Sequence, residues 1–321
     1  MSQRFALFAD PMIAVLVIAT LAGFILPATG EAREPAQWVT NVAIFALFLV
    51  NGIRVARAEI AKGVINWRFF LPLMLFVFGA MALMGLGLSI IAAAILPPMV
   101  AIGFLYLGTL PSTIQSAISY TTLARGNVAL SVVGAALINI AGVFVTAPLF
   151  AALGGGALAQ LGADAIVRIG LILILPFAIG QAIQGWARPW VLDRKAKVVW
   201  LDRIVIGIAV YVAFSGAVEQ GIGSMFGLAG WTALLAIVLV FLALANASAW
   251  LASGVLRYPL ADRKAFLFAA SQKSVAIGAP LAAILFAPEV AGFVIAPVLL
   301  YHLLQLVIAA PLASLLAPRT D

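Results

Sequence analysis

The sequence predicts an all-α polytopic membrane protein of ten transmembrane helices, arranged as two inverted five-helix repeats. Three observations predict it. Hydrophobic residues make up 65% of the chain and charged residues 9%, where a soluble domain carries roughly 25% charge. So few charges cannot cover a water-facing surface, and the outer face must meet lipid. Ten apolar runs meet or approach the length of about 20 residues that a spanning helix needs. When those runs are threaded through a membrane, nearly all basic residues fall on one side.

The runs lie near residues 10–27, 37–53, 67–95, 98–124, 127–152, 164–186, 199–219, 225–253, 260–287 and 290–316. The first follows Arg4 but is long for a signal peptide and lacks a small-x-small cleavage site, so it reads as a spanning helix. Pro97-Pro98 marks the turn between the third and fourth. The fifth carries Asn139 and Thr146, two turns apart and facing one interior. A basic connection, Arg188–Arg203, separates the sixth from the seventh soon after the midpoint. The tenth carries His302 and Gln305 one turn apart on one helical face, with Tyr301 alongside. The runs are continuous, whereas barrel strands would alternate.

With ten spans, both termini and the even-numbered connections share one side. Of the 18 Lys and Arg, Arg33 and Arg168 fall on the other side, Lys273 falls inside the ninth span, and the rest share the first side. That side is cytoplasmic, and the expected location is a bacterial inner membrane with both termini inside.

The net charge of +7 therefore reflects cytoplasmic loops, and nucleic acid is not an expected partner. The expected partners are the lipid bilayer and a small organic solute; the oligomeric state is not legible. There is no Cys, which excludes disulfides and thiolate metal sites. One His and no carboxylate cluster argue against a transition-metal site. The sequence has no HExxH, no Walker A motif and no Ser–His–Asp set. Its 11 carboxylates sit at span ends or in loops, Glu219 being nearest a membrane interior, so no enzyme and no organic cofactor are expected.

Ten helices divide into five and five, and an odd number per half forces the second half to enter from the opposite side. In such inverted repeats, interrupted helices at matching positions mark the binding site. The fourth span carries Pro111 among Ser112, Thr113, Gln115, Ser116 and Ser119. The ninth carries Ser271, Gln272, Lys273 and Ser274 ahead of Gly278 and Pro280. Proline removes a donor and clashes with the preceding turn, and backbone freed at membrane depth must line protein or water. Hydroxyls and prolines also serve as ordinary helix–helix contacts in membranes; the matched positions select a site here. Lys273 is the sharpest residue, because a lysine at a helix centre costs about 2.5–3.5 kcal/mol on insertion scales.

The run Leu123-Ala124-Arg125-Gly126-Asn127-Val128-Ala129-Leu130-Ser131 resembles the opening of the fifth helix in the bile acid:sodium symporter family. Ser271-Gln272-Lys273-Ser274 and Tyr301-His302 resemble more narrowly a divergent, solute-carrier-10-like branch of that superfamily. The resemblance implies a panel domain of the first, second, sixth and seventh helices and a core domain of the third to fifth and eighth to tenth. The repeats are then residues 1–153 and 154–321. It also implies organic-anion substrates, alternating access and crossed fourth and ninth helices.

The resemblance implies sodium ligands too, at Ser116, Ser131 and Gln272; Asn127, from the run just quoted, and His302 and Gln305, from their shared helical face, are secondary site candidates. Here the match is incomplete: Ala135 stands where the family has a threonine ligand, Lys273 replaces an asparagine, and Phe268 falls where the family has a sodium-bridging glutamate. Like charges at 4 Å repel by about 4 kcal/mol at an effective dielectric of 20, so sodium coupling does not carry over automatically. Lys273 is expected to act as a fixed cation that neutralises helix carbonyls or attracts substrate charge, or as a proton carrier, making the proton the alternative coupling ion. The expected function is secondary transport of a small organic, anionic solute. The alternative is a regulatory or scaffolding membrane protein that keeps the transporter fold without coupled transport.

Overall fold

In hydrocarbon every backbone N–H and C=O must be satisfied within the chain, and a continuous apolar sequence does this as helix. The computed structural model describes residues 11–54, 66–154, 168, 170–221 and 227–318. The beginnings of the first, sixth and eighth expected spans, and Arg4, Arg57, Lys62 and Arg319, lie partly or wholly outside the described residues. Every regular element among the described residues is helical. They are α1 (Pro11–Ile25), α2 (Arg33–Arg54), α3 (Trp67–Ala93), α4 (Pro98–Thr109), α5 (Ile114–Leu123) and α6 (Val128–Leu153). There follow α7 (Gly170–Asp193), α8 (Lys195–Glu219), α9 (Leu228–Val255), α10 (Leu260–Ser271), α11 (Val275–Leu285) and α12 (Pro288–Leu316).

Among the described residues, eight stretches are long and apolar enough to cross a membrane, the α10–α11 pair counting as one, and α1 and α4 are shorter apolar helices. Ile18, Leu21, Ile90, Leu251, Val255 and Leu315 are all exposed, and apolar surface on this scale is stable only against lipid. The chain is a multi-pass α-helical membrane protein.

One compact unit holds α1, α2, α7 and α8 together with residues 276–296. There α2 packs against α7 and α8, and α1 against α8. Arg33 pairs with Glu219 at 3.4 Å and with Glu289 at the start of α12, and Gln37 Nε2 donates to Ala283 O at 3.3 Å. Arg54 pairs with Asp202 at 2.8 Å.

The second unit holds α3 to α6, α9, α10, the residues leading into α11, and α12 from Pro297 onward. In α3, Pro72 lacks an N–H and the following Phe76–Ala80 forms a π turn, the usual local answer to a broken hydrogen-bond ladder. Two glycines then let backbones touch. A Cβ on Gly108 of α4 would lie 2.6 Å from Met81 O and 3.0 Å from Gly85 Cα, so α3 and α4 meet backbone to backbone. A Cβ on Gly142 of α6 would lie 2.6 Å from Pro111 Cγ, so the proline ring of the interrupted span needs a residue without a side chain opposite it.

Two expectations about basic residues change. The Arg188–Arg203 connection is helical on both sides of Arg194, where the dihedrals break (φ −109, ψ 31). Arg194 lies over Trp190 at 4.3 Å and Arg203 over Trp200 at 5.2 Å, so these helices continue past their apolar cores on amphipathic, interface-type turns. Lys264 is buried within α10 at 3% exposure, not in a solvated loop, because it has a backbone partner described below.

Candidate functional site

The fourth and ninth expected spans are both broken, and they break alike. Leu110 leaves α4 with φ −69, ψ 147, and Gln272 leaves α10 with φ −74, ψ 145. Each half-helix is 12 residues long and starts after a proline, Pro97 (φ −52, ψ 141) or Pro259 (φ −53, ψ 150). Extended backbone follows each until α5 and α11 begin.

The extended stretches hydrogen-bond to one another. Ser274 N–H donates to Pro111 O at 2.9 Å, and Thr113 Oγ1 donates to Lys273 O at 2.8 Å. The Lys273 side chain reaches back to the end of α4, where Nζ donates to Gly108 O at 2.9 Å and Leu110 O at 2.6 Å. A helix end leaves its last carbonyls without partners and carries partial negative charge. The ammonium answers both, which explains how a lysine 1% exposed is held away from water.

Tyr106 O accepts from Thr109 Oγ1 at 2.8 Å, Leu107 O from Leu110 N–H at 3.3 Å, and Thr109 O from Thr146 Oγ1 at 3.1 Å. Ser112 O accepts from Asn139 Nδ2 at 2.7 Å. Every carbonyl from Tyr106 to Ser112 thus has a donor, as buried backbone demands.

α12 supports the other break. Gln305 pairs with both backbone groups of Lys273: its Oε1 accepts the N–H at 2.7 Å and its Nε2 donates to the carbonyl at 3.0 Å. Tyr301 OH donates to Ser271 O at 2.7 Å, and His302 Nδ1 lies 2.9 Å from Gln305 Nε2. Tyr301 and Gln305 are fully buried.

Several predicted site residues thus come together: Thr113, Asn139, Lys273, Ser274, His302 and Gln305 share one network. Ser112, Ser116, Ser271 and Gln272 are buried in or beside the breaks, and the three hydroxyl oxygens and both Gln272 amide atoms have no partner. Others stand apart. Gln115 and Ser119 are exposed. Ser131 is bonded by Thr121 Oγ1 at 3.1 Å. Asn127 caps α6 through its Oδ1, which accepts from Leu130 N–H at 3.2 Å, while its Nδ2 donates to Asp262 at 2.8 Å.

Beside Asp262, Lys264 Nζ donates to Ala124 O at 2.9 Å, so a second buried lysine closes the end of α5 as Lys273 closes α4. Thr109 and Lys264 join this set unforeseen: Thr109 could have been found as a hydroxyl at the last position of a half-helix, whereas the partner of Lys264 lies 140 residues away and left no local signal. Phe268, at the position matched to a glutamate, is fully buried with its ring 5.9 Å from that of Tyr120. No group of three or more His, Cys, Asp and Glu able to hold a metal ion occurs among the described residues.

Broken helices meeting at a buried polar network inside a lipid-facing bundle define a membrane transporter. The profile of the SBF-like CPA transporter family matches residues 10–318, and the chain belongs to that family, whose members are transporters rather than enzymes. It is 36% identical to an uncharacterized protein of Pseudomonas aeruginosa, over 98% of this chain and 93% of the relative. It is 34% identical to Escherichia coli YfeH, named as a candidate symporter, over 97% and 94%. It is 23% identical to sodium/bile acid cotransporter 7 of Danio rerio, over 88% and 85%.

Proposed function

We propose that the protein is a secondary active transporter that carries a small organic anion across a bacterial inner membrane by alternating access. The observation that carries this reading is the set of buried polar atoms left without partners at the breaks: Oγ of Ser112, Ser116 and Ser271, and both amide atoms of Gln272. An unmade hydrogen bond of this kind costs about 1–3 kcal/mol, which a bound ligand would offset. The surroundings favour a negative one. α5 and α11 begin here, and helix N-termini attract anions. Lys273 uses two of its three ammonium hydrogens on carbonyls, and α4, α5, α6, α9 and α11 contain no Asp or Glu.

The architecture proposed for this activity is ten spans in two inverted repeats, with α4–α5 and α10–α11 as the interrupted fourth span of each half. The equal lengths, proline starts and near-identical exit dihedrals of α4 and α10 support it. α1, α2, α7 and α8 form the panel, the remaining helices the core, and both termini are cytoplasmic by the positive-inside bias.

We read Lys273 as the fixed cation of the crossing, in place of sodium. Phe268 fills the place where a carboxylate would neutralise an ion, Ala135 offers no ligand, and Ser131 already bonds Thr121. A lysine can give up a proton where an arginine cannot, so this cation is fixed in place yet can be discharged, and the proton is the coupling ion of this proposal.

The test is the melting temperature of purified protein in sodium, lithium and potassium salts at constant ionic strength, from acid to alkaline pH, followed by flux of organic anions into proteoliposomes. Saturable stabilisation by sodium alone would make the protein a sodium symporter and overturn the fixed-cation reading. The absence of any solute flux would favour a regulatory or scaffolding protein, to which the missing carboxylate also points.

A further inference from the structure

The donors and acceptors around Gln305 all pair in one arrangement. The Lys273 N–H can only donate, so the Gln305 atom 2.7 Å from it is the side-chain oxygen. The amide nitrogen then faces two groups, Lys273 O at 3.0 Å and His302 Nδ1 at 2.9 Å. An NH2 group has two hydrogens and no lone pair to offer. For that NH2 group to bond both, His302 Nδ1 presents a lone pair, and its 3.3 Å approach to Lys273 O is then a contact between two acceptors.

We propose that His302 is a positioning residue for Lys273, held neutral with its proton on Nε2. By accepting from Gln305, it fixes the amide in the orientation that pairs with both backbone groups of Lys273, much as a neighbouring strand would. A proton on Nδ1 would oppose the NH2 group. Flipping the amide to receive that proton would set NH2 against the Lys273 N–H and the oxygen against the Lys273 carbonyl. Either way the clamp on Lys273 opens, and the ammonium loses its fixed place against Gly108 O and Leu110 O.

Among the described residues, few ionisable groups stand on the elements around His302. Lys273 projects toward α4, and Tyr301 on α12 bonds Ser271 O. Tyr120 of α5 bonds Leu306 O at 2.8 Å, and α4 carries Tyr106. Asp262, Arg263 and Lys264 lie in the first turns of α10, and Glu289 in the first turn of α12; α6, α9 and α11 have no ionisable side chain. The proposal stands whether or not the solute is an anion, and no readout below needs transport, so its failure is distinct from failure of the transport reading.

His302 is the single histidine of the chain, so nitrogen NMR of protein labelled with 15N-histidine reads its tautomer directly. The expected spectrum has an unprotonated Nδ1 and a protonated Nε2. In Gln305→Glu an acceptor replaces the NH2 group, and the proton moves to Nδ1. His302→Asn, whose side-chain oxygen takes the place of Nδ1, keeps the parent melting temperature, while His302→Leu lowers it. A protonated Nδ1 in the parent, an unchanged pattern in Gln305→Glu, or an Asn variant melting as low as the Leu variant would each overturn the proposal.

Discussion

Lys273 and Gly108 share a 2.9 Å hydrogen bond between an ammonium and the carbonyl of a residue that touches α3 backbone to backbone. The same glycine thus provides the acceptor for a buried cation and the close helix contact that fixes where that acceptor lies. Two predictions separate these roles.

Lys273→Met keeps the stem and removes the charge, leaving Gly108 O and Leu110 O without a donor. Each buried orphan costs about 1–3 kcal/mol, partly offset by no longer burying an ion. The expected net loss is about 2–4 kcal/mol, read as a lower melting temperature in detergent, with loss of solute flux. A variant with full flux would remove Lys273 from the transport mechanism.

Gly108→Ala keeps the carbonyl but puts a Cβ 2.6 Å from Met81 O. Backbone cannot rotate aside, so α3 and α4 must separate at a cost of about 1–3 kcal/mol. Gly87→Ala on the same α3 helix is the control, since nothing lies within 4 Å of its added Cβ. Its melting temperature should hold or rise, because alanine favours helix over glycine by up to about 1 kcal/mol.

Asn139→Leu strips Ser112 O of its 2.7 Å partner and should cost about 1–3 kcal/mol. Thr146→Val does the same to Thr109 O with closely matched shape and should cost about 1 kcal/mol. The ranking of the two by thermal unfolding tests whether the extended stretch or the helix end is more dependent on α6.

Arg33→Gln breaks pairs with Glu219 and Glu289, whose side chains are about a third exposed. Such pairs contribute less than about 1 kcal/mol and are screened by salt. A small difference in melting temperature between parent and variant should therefore vanish at high ionic strength; a large, salt-insensitive loss would show that this cluster does more than pair charges.

How much of this was legible in the sequence depends on the range over which each feature is decided. The spans, the Pro97-Pro98 turn and the two interruptions follow from composition along the chain, because lipid forces local backbone satisfaction and proline blocks it within a few residues. The symmetry was legible further than the spacing reading took it: Pro97 and Pro259 each stand just before a half-helix. Gln115 and Asn127 show where composition misleads. Gln115 sits in the interrupted segment yet is exposed, because its place on the helical turn after the break sends it outward. Asn127 belongs to the most recognisable run in the chain, yet it caps a helix beside Asp262.

The sequence by itself determined that this protein lives in a membrane, that it is helical, and that two of its helices are interrupted by polar residues. Only the tertiary structure decided what Lys273 bonds to. Its partners Gly108, Leu110 and Gln305 lie 165, 163 and 32 residues away, and no local pattern links a side chain to carbonyls at that distance. The physical reason is general: helix formation is settled by neighbours in the chain, whereas the donors for a broken helix come from whichever segments pack against it.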